Sequence, residues 1–244
     1  MTDLRGRTAL VTGAGHRVGR AIAVALGGRG MRVAVHYNAT ADGARETAKE
    51  IEAAGGEAKL FTGDLTDASQ APKLIADVTS AFGGLDVLVN SAAVMVRTPF
   101  GEVTPDQWDD IMALNVRAPF FLAQAAAPHL KKARGTIVNI CDLAAFETWP
   151  AYLPHGLSKA GMVYLTRSLA RVLAPDVRVG GIAPGTVLLP ESWSSADARR
   201  LSDTTPLGRE GSPEDVTRTV LFILDSDYLT GETIIVDGGR HIRA

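Results

Sequence analysis

The chain has 244 residues, 46% hydrophobic and 21% charged, with a formal net charge of −2. That balance supplies apolar side chains for one large core and excludes a disordered chain, and its scattered positive charge gives no surface for nucleic acid or anionic membrane. The single cysteine, Cys141, excludes an intrachain disulfide and any multi-cysteine metal site, and the five histidines show no paired metal-ligand spacing. The first residues, MTDLRGRTALVTG, lack the apolar core of a signal peptide, and no apolar run reaches membrane-spanning length, so a cytoplasmic protein is expected.

Taken from the amino end, short apolar runs alternate with longer segments of helical periodicity. The runs are TALVTG, RVAVHY, EAKLFTG, LDVLVN, GTIVNI, VRVGGIA and GETIIVDGG, which predict seven strands. Between them the apolar spacing predicts helices over Val18 to Arg29, Ala41 to Ala54, Gln70 to Phe82, Thr104 to Leu130, Gly156 to Leu173 and Pro213 to Leu224. Two starts are marked by a hydroxyl, a proline and then acid or amide residues, at Thr104-Pro105-Asp106-Gln107 and Ser212-Pro213-Glu214-Asp215. Strands alternating with helices imply a parallel sheet covered on both faces. The fold class is therefore α/β, a single doubly wound domain over residues 1–244. The polar, weakly periodic stretch Leu188 to Thr205 is expected to be a substrate lid.

The first strand runs into Thr12-Gly13-Ala14-Gly15-His16-Arg17-Val18-Gly19. Such a glycine turn brings backbone N–H groups and a helix amino terminus to a pyrophosphate. Gly13 and Gly15 satisfy the first two positions of the common dinucleotide fingerprint, while Val18 stands at the third. At the end of the second strand, His36-Tyr37-Asn38-Ala39-Thr40 contains no acid to hold a ribose 2′-hydroxyl. NADPH is therefore the expected cofactor, with Arg17 supplying charge and Asn38 and Thr40 supplying hydrogen bonds; the competing reading makes Asn38 and Thr40 simple turn residues.

The chain resembles the short-chain dehydrogenase/reductase family over nearly its whole length. Thr12, Gly13 and Gly19 match its TGxxxGxG turn, with Arg17 at the middle glycine. Asn90-Ser91-Ala92-Ala93 stands where the family has Asn-Asn-Ala-Gly, Asn115 matches its relay asparagine, and Pro184-Gly185 matches its nicotinamide loop. The resemblance implies that Asp64 and Leu65 lie at the adenine and that the protein is a homotetramer. The family motif Tyr-x-x-x-Lys, with a serine thirteen positions earlier, falls on His155, Lys159 and Asp142. Tyr152 lies three residues before His155 and ahead of Pro154, in a loop. Arg17, His36-Tyr37, Asp142 and the closing segments APGTVLLPES and TGETIIVDGGR make the narrower resemblance one to pteridine reductases.

In that reading Asp142 and His155 form an acid-base pair, Lys159 anchors the nicotinamide ribose, and Asn115 supports the lysine through water. A positive Lys159 works against an imidazolium at His155, and a carboxylate at Asp142 works for it. Asp142 also suits a capping role. Cys141 is expected to be packed, the remaining histidines to be turn, strand and surface residues, and Trp149 and Trp193 to lie near the pocket. Two rival readings stay open: a carbonyl reductase of the same fold, and a protein that binds NADPH and turns over nothing.

Overall fold

The computed structural model describes residues 3–189 and 194–242. Seven strands, β1 (Thr8–Val11), β2 (Arg32–Tyr37), β3 (Glu57–Thr62), β4 (Val87–Asn90), β5 (Thr136–Ile140), β6 (Arg178–Pro184) and β7 (Thr233–Val236), form one sheet in the order β3-β2-β1-β4-β5-β6-β7. Every adjacent pair is parallel. β1, β4 and β5 are buried at every position, which explains why they read as largely apolar runs rather than as alternating ones.

Helices α1 (Arg17–Gly27), α2 (Ala41–Ala53), α3 (Gln70–Phe82), α4 (Pro105–Met112), α5 (Ala118–Ala133), α6 (Leu153–Leu173), α7 (Ser195–Asp203) and α8 (Pro213–Asp225) complete the fold. Two cores result. Ile22, Leu26, Ile51, Val216 and Val220 pack under one face of the sheet, and Leu74, Val78, Leu122, Leu130 and Leu169 under the other. The chain order reverses between β1 and β4, because β2 and β3 extend the sheet one way and β5 to β7 the other. Helices leaving those two strands diverge and open a crevice at the carboxyl end of the sheet, where ligands of this architecture bind.

Both marked helix starts form capping boxes, at Thr104 with Gln107 and at Ser212 with Asp215. Three segments differ from the sequence expectation. The helix expected over Thr104 to Leu130 is broken by a π-helical turn at Ala113–Arg117. Pro119 has no N–H to return to the carbonyl four residues back, that of Asn115, and the ladder widens there. Helix α6 begins at Leu153, earlier than expected, with Tyr152 as its N-cap and Pro154 in its first turn. Within the stretch expected to be a lid, Ser195–Asp203 forms α7; Trp193 lies outside the described residues.

Among the described residues no helix is long and apolar enough to cross a membrane.

Candidate active site

The glycine turn leaves β1 at the reversal point. Thr12, 1% exposed, joins it to the exit of β4. Its hydroxyl donates to the Val89 carbonyl (3.3 Å) and accepts from the N–H groups of Ser91 (2.9 Å) and Ala92 (3.0 Å). Gly13 has a φ of +65°, and a Cβ there would lie 2.9 Å from the Ala92 Cα. A Cβ at Gly15 would strike the Thr40 hydroxyl, and one at Gly19 the Gly13 carbonyl. The turn is thus packed to the limit of the bare backbone, leaving a cradle suited to a dinucleotide diphosphate at the head of α1. Arg17 holds φ +51°, a left-handed conformation that costs a non-glycine residue about 1–3 kcal/mol. Its Nη2 donates to the Leu188 carbonyl at 3.0 Å, spanning the crevice from the turn to the segment beyond Gly185.

The other residues expected at the cofactor divide into two groups. Asn38 is exposed, and Thr40, at the N-cap of α2, makes no side-chain cap bond. Asp64 is exposed, with Oδ1 accepting from Thr66 N (2.9 Å) and Oγ1 (2.8 Å). Gly185 closes β6 against Asp237, whose Cβ lies 2.8 Å from where a residue-185 Cβ would sit, and its N–H donates to the Val236 carbonyl at 2.9 Å. Val18, by contrast, packs on the core beneath α1, and the side chain of Leu65 is buried in the core, so only its backbone can face a ligand. Asn90 turns inward: its Nδ2 donates to Asn139 Oδ1 (2.8 Å), and Asn139 Nδ2 to Thr166 (2.9 Å). Asn90 therefore ties β4 to β5 and α6 through that amide.

At the other end of the crevice, Asp142 follows β5 and caps the short 3-10 turn Leu143–Ala145, Oδ1 accepting from Ala144 N at 2.8 Å. The capping role accounts for one oxygen; Oδ2 lies 3.7 Å from His155 Nε2. His155 is 2% exposed. Its Nδ1 lies 3.2 Å from the Val94 carbonyl, which can only accept, so the hydrogen-bond network places the ring hydrogen on Nδ1. Nε2 is buried with no hydrogen-bond partner among the described residues. In the neutral ring it presents a lone pair to a carboxylate, two acceptors face to face. One added proton on Nε2 would turn that opposition into an ion pair, and a substrate atom in the gap would exchange that proton.

Lys159 lies one helical turn beyond His155, and its Nζ donates to the Ile140 carbonyl at 2.9 Å. Burial lowers its pKa, opposed by the negative charge of Asp142 and by Cys141. Cys141 is itself 2% exposed, and burial pushes its thiol up to about 11. It is packed, as expected, and is no nucleophile at neutral pH.

The side chain of Asn115, the residue expected to support the lysine through water, is bonded to Val94 and Ser158. Its Oδ1 accepts from Val94 N (2.9 Å), and its Nδ2 donates to the Val94 carbonyl (2.9 Å) and to Ser158 Oγ (2.9 Å). Both amide hydrogens are engaged, and neither reaches Lys159. Asn115 fixes the carbonyl that holds His155, and Ser158 completes the arrangement by donating to the His155 carbonyl at 2.7 Å. Val94 and Ser158 were not among the sequence candidates. Ser158 adjoins Lys159 in the motif and was findable there, whereas the part played by Val94 is a backbone oxygen with no side-chain signature. Trp149 is half-buried, its Nε1 donating to Glu147 at 3.1 Å and its ring edge-on to Tyr152 at 6.4 Å.

A family profile described as Enoyl-(Acyl carrier protein) reductase matches residues 13–241. A 3beta-hydroxysteroid dehydrogenase 1 of Eggerthella lenta is 33% identical over 246 residues, covering 97% of this chain and 94% of the relative. The 3-oxoacyl-[acyl-carrier-protein] reductase FabG of Staphylococcus aureus is also 33% identical, over 97% of this chain and 98% of its own. A crystal structure from Sinorhizobium meliloti, assigned as a short-chain alcohol dehydrogenase, superposes with a TM-score of 0.93 at 36% identity, covering 99% of each chain. A packed glycine cradle at the sheet's reversal point and relatives aligned from end to end lead to the same place: the chain is an oxidoreductase belonging to the short-chain dehydrogenase/reductase family.

Proposed function

We propose that the chain is an NADPH-dependent reductase of pteridine reductase type, acting on a flat, conjugated ring such as a pterin, in which Asp142 and His155 stand where most relatives carry serine and tyrosine. The observation that carries this reading is the buried, unpartnered His155 Nε2 facing the Asp142 carboxylate at 3.7 Å. Bound NADPH supplies the hydride. The protein supplies the proton: an imidazolium at His155, with Asp142 as counter-ion, gives up its Nε2 hydrogen to the ring nitrogen next to the reduced carbon and returns to the neutral tautomer held by Val94. Lys159 holds the nicotinamide ribose and keeps positive charge beside the crevice. The choice of NADPH over NADH rests on Asn38 and Thr40, which carry hydrogen-bonding groups and no acid; the Arg17 guanidinium expected to supply charge is bonded to the Leu188 carbonyl and would have to leave it to reach a 2′-phosphate.

Carbonyl reduction is the second reading, favoured by the relatives named for ketoacyl and hydroxysteroid chemistry. The same proton then goes to a carbonyl oxygen. NADPH consumption with a dihydropterin, measured for the natural protein and for His155→Tyr, tests the first reading. Turnover by the natural protein that tyrosine does little to improve supports the Asp142/His155 relay. Turnover of ketones with none of pterins moves the assignment to the second reading. Tight NADPH binding with no turnover until tyrosine is restored marks a cofactor-binding protein whose catalysis is switched off at one position.

The family reading also carries a homotetramer. Phe120, Tyr164 and Val172, exposed on α5 and α6, give such an assembly apolar surface to cover, and sedimentation velocity measures it.

A further inference from the structure

His36 lies at the end of β2, 2% exposed, between the exits of the two strands that flank it. Its Nδ1 accepts from the N–H of Gly13 at 3.3 Å, and its Nε2 donates to the carbonyl of Gly63 at 3.1 Å. An N–H can only donate and a carbonyl only accept, so both contacts are satisfied by one neutral tautomer. The backbone joins in: the His36 carbonyl accepts from Ala14 N at 2.8 Å, and the neighbouring Tyr37 carbonyl from Gly63 N at 3.2 Å. His36 thus engages the first two amides of the glycine turn, one with its ring and one with its carbonyl. The amides that follow, from Gly15 into the first turn of α1, have no intrahelical acceptor and are the ones left for an anion. The same ring grips the residue before Asp64, at the opposite wall of the adenosine end.

We propose that His36 is the positioning residue of the dinucleotide site, its ring setting the orientation of the Gly13 peptide and thereby the aim of the amides that receive the cofactor's diphosphate. This rests on the family reading that the turn binds a dinucleotide. The diphosphate is common to NADPH and NADH, so the effect is the same for both.

The test is titration of the natural protein, His36→Leu and His36→Asn with NADPH and with NADH, followed by cofactor fluorescence, with thermal unfolding of each protein alongside. Leucine fills the space and removes both ring contacts; asparagine keeps an oxygen at the level of Nδ1 to receive the Gly13 N–H. The expected result is a Kd raised about tenfold for both cofactors in His36→Leu, the loss of one hydrogen bond's worth of binding, with most of it recovered in His36→Asn. Unchanged affinity in His36→Leu overturns the proposal, as does a loss confined to NADPH, or an asparagine variant as weak as the leucine one. If His36→Leu does not fold, His36→Asn and His36→Gln carry the comparison: retained affinity in asparagine with a loss in glutamine, whose longer side chain displaces the acceptor, supports the proposal, and equal affinities overturn it. A natural protein that binds neither cofactor removes the dinucleotide reading of the turn and the proposal together, and shows itself before any substitution is made.

Discussion

His36 and His155 are both 2% exposed, and both stand at the carboxyl edge of the same sheet, yet they are built to opposite ends. The ring of His36 has a donor on one nitrogen and an acceptor on the other. The ring of His155 is held at Nδ1 alone, and its Nε2 faces a carboxylate too far away to bond. Burial therefore does not distinguish a residue that organises a site from one that works in it. A buried polar atom without a partner carries a desolvation cost that a folded protein rarely leaves unmet, and a substrate atom entering the crevice is one way to meet it. In the proposed reading the finished histidine serves the cofactor's cradle, and the unfinished one the chemistry.

Removing the unfinished histidine is the harshest way to break this contrast. His155→Gln leaves a polar group of similar reach that cannot carry a proton as imidazolium, and kcat is expected to fall about 10²–10⁴-fold, the range of a general acid. Asp142→Asn is expected to lose as much, because it removes the negative charge that makes an imidazolium affordable in a buried position. Cofactor affinity should be kept within about twofold in both variants. Steady-state kinetics with cofactor titration checks this. A proportional loss of affinity would show instead that both residues serve the cradle.

The finished histidine is expected to declare itself in stability. Burial pushes its pKa from 6.5 to about 4, against a smaller opposing effect of the bond to Gly63. Above pH 6.5 the ring is neutral in the folded and unfolded chains alike. Between pH 6.5 and about 4 the unfolded chain takes up a proton that the folded one does not, so stability falls as the pH is lowered, and below about 4 the effect levels off. The contribution lost across that window is about 3 kcal/mol. His36→Leu is expected to flatten the slope of unfolding free energy between pH 4 and 6.5, measured by urea titration at several pH values. A slope that persists unchanged would mean that other groups titrate there.

Sequence and structure agree best where each element depends on its own residues. Buried parallel strands must be apolar along their length, and Thr104 and Ser212 need only residues three positions on to make their capping boxes. The glycine turn is legible from its own spacing after β1, although the contacts that leave no room for a side chain at Gly13 and Gly15 come from Ala92 and Thr40. The parts that did not read from the chain depend on segments brought together by the fold. His36 looks like any strand residue until the exits of β1 and β3 are seen on either side of it. Asn115 is a site candidate by its motif, but its partners, Val94 and Ser158, lie 21 and 43 positions away. Arg17 is a candidate by its charge alone, and its bond to Leu188 crosses 171 positions.

The smallest expected effect concerns the residue next to Asp142. Cys141 shares the neighbourhood of Lys159, and a lysine beside a thiol ordinarily favours the reactive thiolate. Here burial outweighs it and holds the thiol at about 11, so at pH 7.5 the native protein contains essentially no thiolate at this position. Iodoacetamide is expected to leave the folded protein unmodified and active over hours, and to label it stoichiometrically in denaturant, as mass spectrometry would show. Cys141→Ala removes little volume and no hydrogen-bonding group that the crevice uses, and it should cost about 1–2 kcal/mol of stability with kcat within twofold. Rapid labelling of the folded protein with loss of turnover would contradict the packing and place the sulfur in contact with the crevice. Continued silence would leave the proposed chemistry of this wall with His155 and Asp142, whose Nε2 and Oδ2 face each other at 3.7 Å.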